Sequence, residues 1–235
     1  MAIKAVFFDA GGTLIEPHPS VGEVYGGVAA RLGCPAEPAV VETRWRSAWA
    51  DYQREASGGG LPLPRSDAED LAMWHRITRM IYDGVPAFRG LDYARWFDGI
   101  HAAFTGGACW RVFPEARGVI DACRARGLRC GVVSNWSSFL VGILRELDLA
   151  DRMDFVLVSA QEGCLKPEAE FFRRALARAG VDAHEALHVG DSARDDAAGA
   201  AAAGLLGVYL DRPGRGGAPD SVPVVRDLRG ILGYL

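Results

Sequence analysis

Residues Ala2–Ile15 read AIKAVFFDAGGTLI. Ala5, Val6, Phe7 and Phe8 form the unbroken apolar run that a strand covered on both faces requires, and the run stops at Asp9, followed by Gly11, Gly12 and Thr13. A carboxylate therefore stands at the C-terminal end of a central strand, the end at which open α/β sheets bind their ligands. The glycines let the main chain turn sharply and approach a ligand closely, which leaves Asp9 uncovered. Taken alone, an Asp-Gly turn merely ends a strand. The rest of the chain decides what Asp9 is for.

Beyond Trp110, helices and strands alternate. A helix from Pro114 to Arg126 is followed by the strand Leu128–Val133 with Ser134-Asn135, and a helix from Phe139 to Leu147 leads to the strand Phe155–Ser159. Lys166-Pro167 opens the helix Glu168–Ala179, closed by Gly180. Then come the strand Ala186–Val189, the stretch GDSARDD (190–196), an Ala-rich helix to Ala203 and the strand Leu205–Leu210. This pattern predicts an α/β fold with a Rossmann-like parallel sheet wrapped by helices. Residues 16–110 interrupt it with four amphipathic helices and no strand, which reads as an inserted helical subdomain. The expected organisation is a core of residues 1–15 and 111–235 with residues 16–110 as the insertion. The tryptophans of that insertion, Trp45, Trp49, Trp74 and Trp96, are read as packing residues.

At 235 residues, 49% hydrophobic and 24% charged, the chain can bury a substantial core. A net charge of −4 supplies no basic footprint, so nucleic acid is not an expected partner. No apolar stretch has the length of a membrane span and no leader precedes the first strand, so neither membrane nor export is expected. The five cysteines are odd in number and unpaired in spacing, which suits buried thiols in a reducing cytoplasm. Among 26 basic residues only Lys4 and Lys166 are lysines, which draws attention to Lys166.

Four polar groups fall at strand or loop ends on one rim: Asp9 with Thr13, Ser134 with Asn135, Lys166, and Asp191 with Asp195 and Asp196. Each has an ordinary explanation as turn chemistry. Their joint order, FFDAGGTL, VVSN, Lys166-Pro167 and VGDSARDD, closely resembles the four motifs of the haloacid dehalogenase superfamily. The resemblance spans essentially the whole chain and extends to haloacid dehalogenase-like hydrolase domain-containing proteins. It implies that residues 16–110 are a helical cap and that the protein is a hydrolase.

The same resemblance implies a set of roles. Asp9 is the expected nucleophile, attacking phosphorus to form an aspartyl-phosphate. Mg²⁺ would be held by Asp9, the Gly11 carbonyl, Asp191 and Asp196, with Asp195 fitting a shorter spacing. Thr13, Ser134, Asn135 and Lys166 would bind the phosphoryl group of a small phosphorylated substrate, and Lys166 would also assist catalysis. One departure matters. Phosphatases of this superfamily usually carry a second Asp two residues after the nucleophile as general acid, and here that position is Gly11. Loss of such a group costs about 10²–10⁴ in rate; Glu16 and His18 are the nearest replacements in sequence, and an aryl or acyl phosphate needs less protonation. Two alternatives follow: an impaired phosphate-binding or interaction protein, and a 2-haloacid dehalogenase. Dehalogenases of the family lack the Gly-Asp pair that stands here as Gly190-Asp191. A phosphonatase reading fails because no lysine lies between Lys4 and Lys166.

Overall fold

A computed structural model describes residues 2–57, 59–212, 214, 216–217 and 221–235. In chain order, β1 (Ala5–Phe8) and β2 (Ile15–Pro17) precede helices α1 (Val21–Arg31), α2 (Pro38–Ser57), α3 (Asp67–Gly84) and α4 (Tyr93–Phe104). Next come β3 (Trp110–Val112), α5 (Ala116–Ala125), β4 (Arg129–Ser134), α6 (Leu140–Glu146), β5 (Phe155–Val158), α7 (Ser159–Glu162), α8 (Ala169–Ala179) and β6 (Ala186–Gly190). A π-helical turn, Ala193–Ala198, runs into α9 (Gly199–Ala202), followed by β7 (Leu206–Leu210) and β8 (Val224–Val225). The chain divides into two compact units, one reaching to Glu16 and resuming at Arg111–Leu235, the other Pro17–Trp110.

The first unit is built on a parallel sheet of order β5-β4-β1-β6-β7-β8 among the described residues. All four residues of β1 are fully buried, as its apolar run requires. Phe7 meets Phe155 edge to face at 5.6 Å, and a side chain at Gly131 on β4 would run into the Phe155 ring, so the bare glycine makes room for that packing. Phe171 and Phe172 of α8 join the same core; each such buried side chain contributes about 1.5–3 kcal/mol. Strand order reverses beside β1, with β4 and β5 on one side and β6 to β8 on the other. That is where a doubly wound sheet opens a crevice at its strand ends. Tyr209 and Leu210 pair with Val224 and Val225 at the sheet edge. Cys123, Cys130 and Cys164 are buried thiols, and Cys34 and Cys109 are partly exposed ones.

The core of the second unit is aromatic. Trp96 is fully buried among Tyr25, Phe88, Ile77 and Ile81, and its indole N–H donates to the Tyr25 carbonyl (3.0 Å), which satisfies the polar atom it carries inward. Trp49 stacks on Trp74 at 5.8 Å. The Ser66 hydroxyl caps α3 by accepting from the Glu69 N–H. Strand β2 pairs with β3 in a two-stranded sheet, in which Arg111 and Glu16 form an ion pair at 2.6 Å. The sequence reading takes residues 16–110 as helices alone; three-residue strands carry too little alternation to register. No helix among the described residues is long and apolar enough to cross a membrane.

Candidate active site

The parallel register sets three strand ends side by side. Phe8 stands opposite Val132 on β4 and Val189 on β6, so Asp9, Ser134 and Asp191 emerge at one rim. The Asp9 N–H donates to the Val189 carbonyl (3.0 Å), the last rung before the loop. The chain then turns tightly, with the Ala10 carbonyl accepting from the N–H groups of Thr13, Leu14 and Ile15. Gly12 has φ +71°, and a Cβ there would lie 2.3 Å from Asp191 Oδ2, so handedness and space both demand glycine. The Gly12 and Thr13 carbonyls accept from the Arg212 guanidinium (3.1 and 2.9 Å). Arg212 is itself ion-paired with Glu115 (2.6 Å) and lies over the Phe113 ring, 3.7 Å from its centroid. Among the described residues no hydrogen bond reaches the Gly11 carbonyl.

Asp9 is 7% exposed. Its Oδ1 accepts from Ser134 Oγ (2.9 Å) and Lys166 Nζ (2.6 Å), and its Oδ2 takes no hydrogen-bond partner among the described residues. Buried Lys166 also donates to Asp196 Oδ1 (2.5 Å). Asp196 accepts two further bonds, from His188 Nε2 (2.8 Å) and from the Ser192 N–H (2.9 Å). An ionised carboxylate only accepts, so the His188 proton sits on Nε2; its Nδ1 is enclosed without a partner among the described residues, and burial lowers its pKa, keeping the ring neutral. A Cβ at Gly190 would fall 2.1 Å from Asp196 Cγ, which makes that glycine obligatory.

The charges do not balance. Ligand oxygens of Asp9, Asp191 and Asp196 all lie within 4.8 Å of one another, with Lys166 as the cation between them. Burial alone would lower the Lys166 pKa, but Asp196 and Asp9 outweigh it and raise it. Burial alone would raise Asp196, yet Lys166 and His188 hold it well below the usual carboxylate range. Lys166 and Asp196 are a fixed ion pair. Asp9 is raised, chiefly by burial and against the pull of Lys166. Asp191 keeps solvent access at the rim yet is crowded enough that desolvation, then Asp9 and Asp196, push it up to about 7. Hard carboxylate oxygens in excess of positive charge fit a small divalent cation such as Mg²⁺.

Asp9, Ser134, Lys166, Asp191 and Asp196 are thus brought together, while two residues predicted to bind substrate directly are placed otherwise. The Thr13 hydroxyl is fully enclosed and has no hydrogen-bond partner among the described residues, because the turn folds it inward beneath the loop. Asn135 spends both ends of its carboxamide on Lys166, accepting from its N–H (2.8 Å) and donating to its carbonyl (2.9 Å). It clamps the lysine's main chain. Asp195 stays local, accepting from Ser192 Oγ and donating its N–H back to the same oxygen, so Asp196 is the one that reaches the cluster. Glu16 accepts two bonds from Arg111. Three contributors escaped the sequence reading in whole or part. His188 shows only as one polar residue in an apolar strand, Arg212 carries no local signal, and Trp136 stands beside Ser134-Asn135 in the sequence with nothing local to reveal its partner. That partner is Gly11, where a Cβ would lie 2.9 Å from Trp136 Cζ3.

Known proteins resemble this arrangement at several levels. The chain is 31% identical over 227 residues to haloacid dehalogenase-like hydrolase domain-containing protein 3 of Mus musculus, covering 95% of this chain and 88% of that one. It is 30% identical over 201 residues to a phosphoglycolate phosphatase of Cupriavidus necator, covering 84% and 77%. Its fold matches the L-2-haloacid dehalogenase of Xanthobacter autotrophicus with a TM-score of 0.67 at 20% identity, over 99% of this chain and 98% of that one. Residues 3–204 match the family described as haloacid dehalogenase-like hydrolase, and the chain belongs to that family of hydrolases.

Proposed function

We propose that this hydrolase is a Mg²⁺-dependent phosphatase acting on a small phosphorylated metabolite through an aspartyl-phosphate on Asp9, with residues 17–110 serving as its cap. The observation that carries the reading is the surplus of carboxylate: Asp9, Asp191 and Asp196 within 4.8 Å, against one lysine. A site that released halide from a haloacid would have no use for Asp191. Phosphatases among the relatives support the same reading, including a phosphoserine phosphatase of Thermus thermophilus 35% identical over 128 residues. The likeness to the Xanthobacter autotrophicus dehalogenase, at 20% identity, speaks to the fold alone.

In this reading Asp9 attacks with Oδ2, the oxygen left without a hydrogen bond, while Ser134 and Lys166 hold Oδ1 and fix the carboxylate plane. Lys166 keeps its proton throughout and faces the transferring group as a point charge. Asp196 acts through Lys166, which it holds in place together with Asn135. Of the four expected ligands, Asp9, Asp191 and the Gly11 carbonyl would hold the cation, while Asp196, expected as a fourth, has both oxygens taken by Lys166, His188 and the Ser192 N–H and adds its charge to the cluster; the cation's contribution is to offset the repulsion between a carboxylate nucleophile and a phosphate dianion.

The test is a screen of phosphorylated metabolites with and without chelator, with a 2-haloacid as control. Phosphate release lost on chelation is the expected result; halide release in metal-free buffer overturns it. Metal binding is read separately by thermal melting. Metal-free, folded Asp191 holds its proton up to about 7, against 3.8 for an unperturbed Asp. Its contribution to stability is therefore present at low pH and declines as pH rises through that window. Mg²⁺ replaces the proton, so it raises the melting temperature much more at about pH 8 than at about pH 5.

A further inference from the structure

Gly11 and Trp136 compete for one space. A Cβ on Gly11 would lie 2.9 Å from Trp136 Cζ3, closer than real side chains come, and in ordinary contact with Cη2 at 3.6 Å. Gly11 is not among the residues with positive φ, so its backbone would accept any side chain, and the indole alone stands in the way. The Trp136 main chain is pinned, its N–H donating to Ser159 Oγ (3.1 Å) and its carbonyl accepting from the Ala160 N–H (3.2 Å). The ring therefore sits against the loop that carries the nucleophile, just past Ser134.

Among the described residues, the polar groups gathered near Asp9 are engaged with other partners or enclosed. Lys166 is locked between two carboxylates, and His188 stands behind Asp196 with both residues buried. Asp195 engages Ser192 through Oδ2 and its Oδ1 is enclosed away from solvent, Glu16 is held by Arg111, and the Thr13 hydroxyl is enclosed. Asp191 is the ligand of the cation. Resting on the phosphatase reading, we infer that Trp136 occupies the place of a leaving-group acid and restricts the enzyme to phosphates whose leaving group departs without a proton, that is, acyl and aryl phosphates rather than alkyl phosphates.

The chemistry balances without an acid. The Asp9 oxygen forms a bond to phosphorus as the bond from phosphorus to the leaving oxygen breaks, and that oxygen leaves with the electron pair as a carboxylate or phenolate. Water then attacks phosphorus, the bond from Asp9 to phosphorus breaks, the carboxylate is regenerated, and the water's proton passes to solvent. A carboxylate or phenolate bears that charge readily; an alkoxide does not.

The experiment is a leaving-group series: acetyl phosphate, substituted phenyl phosphates of graded basicity, and simple alkyl phosphates, each with Mg²⁺. The expected result is a steep fall of kcat/KM with leaving-group basicity. A shallow dependence reaching the alkyl members overturns the inference, because it means a donor acts from elsewhere. The paired variant Gly11→Asp with Trp136→Ala supplies both the acid and the room, and should raise the alkyl-to-aryl ratio by roughly 10²-fold, the lower part of the range for a positioned acid. The control, Gly11→Asn with Trp136→Ala, should leave the ratio where it was. An Asp variant that melts like the native protein yet leaves the ratio unchanged also overturns the inference. Failure of the underlying phosphatase reading looks different: no phosphate is released from any member, acetyl phosphate included, and no acid-stable phosphoryl group appears on Asp9.

Discussion

The loops that follow β1 and β6 each bring a carboxylate to the same lysine and treat it in opposite ways. Asp196, from the β6 side, accepts from Lys166, His188 and the Ser192 N–H, and its charge is fully answered. Asp9, from the β1 side, has one oxygen answered and the other bare, with Asp191 crowding it from across the rim. A buried carboxylate with three donors is held as structure; one with an unanswered oxygen is poised to bind or to react. In the proposed mechanism, function is divided between these two chemically identical groups by what each neighbour donates.

Three substitutions would break or sharpen that contrast, and the largest effect should come from Asp9→Asn. Turnover should fall by on the order of 10⁴-fold or more, as for loss of other nucleophiles, with no phosphoryl-enzyme after acid quench. The metal-free melting temperature should hold or rise, because the change removes repulsion with Asp191 while Lys166 keeps Asp196. Activity retained at the native rate would return Asp9 to the status of a turn residue.

Asp196→Asn should invert the pattern. It takes the stronger partner from a buried ammonium, a change that costs about 3–5 kcal/mol when a buried pair is broken; the low end is expected here because Asp9 still faces Lys166. Chemical denaturation reads this directly, and a variant as stable as the native protein would contradict the assignment of Asp196 as structural.

Arg212→Ala tests whether the β1 loop depends on an outside brace. Two charge-assisted hydrogen bonds to the Gly12 and Thr13 carbonyls vanish and Glu115 loses its partner, which amounts to about 1.5–3 kcal/mol. Mg²⁺ affinity, followed by calorimetry, should weaken along with stability, since the turn would no longer be held against Asp191. Arg212→Lys keeps the ion pair but not the fork, and should recover part of the stability and little of the affinity.

Much of this molecule was legible before any coordinates. A run of four apolar residues ending in Asp-x-Gly-Gly reads as a central parallel strand because burial on both faces leaves no room for alternation, and β1 is that strand. The order of polar strand ends was legible for the same reason: short crossovers in an α/β sheet bring every carboxyl end to one rim. The two short strands β2 and β3 were not, since pairing partners 95 residues apart, such as Glu16 and Arg111, leave no local trace.

Amino-acid order by itself determined which chemical groups reach the rim and in what sequence, because strand periodicity and turn chemistry are local properties. Only the tertiary structure decided how those groups are spent. Which of Asp195 and Asp196 turns inward depends on a π-helical turn. Asn135 faces Lys166 rather than the open rim because the chain returns to it after 31 residues, and Arg212 braces a loop 200 residues away. Trp136 fills the space over Gly11 because β4 lies beside β1. Each is a contact between distant segments, and hydrogen bonds and excluded volume act through space, where separation along the chain has no meaning.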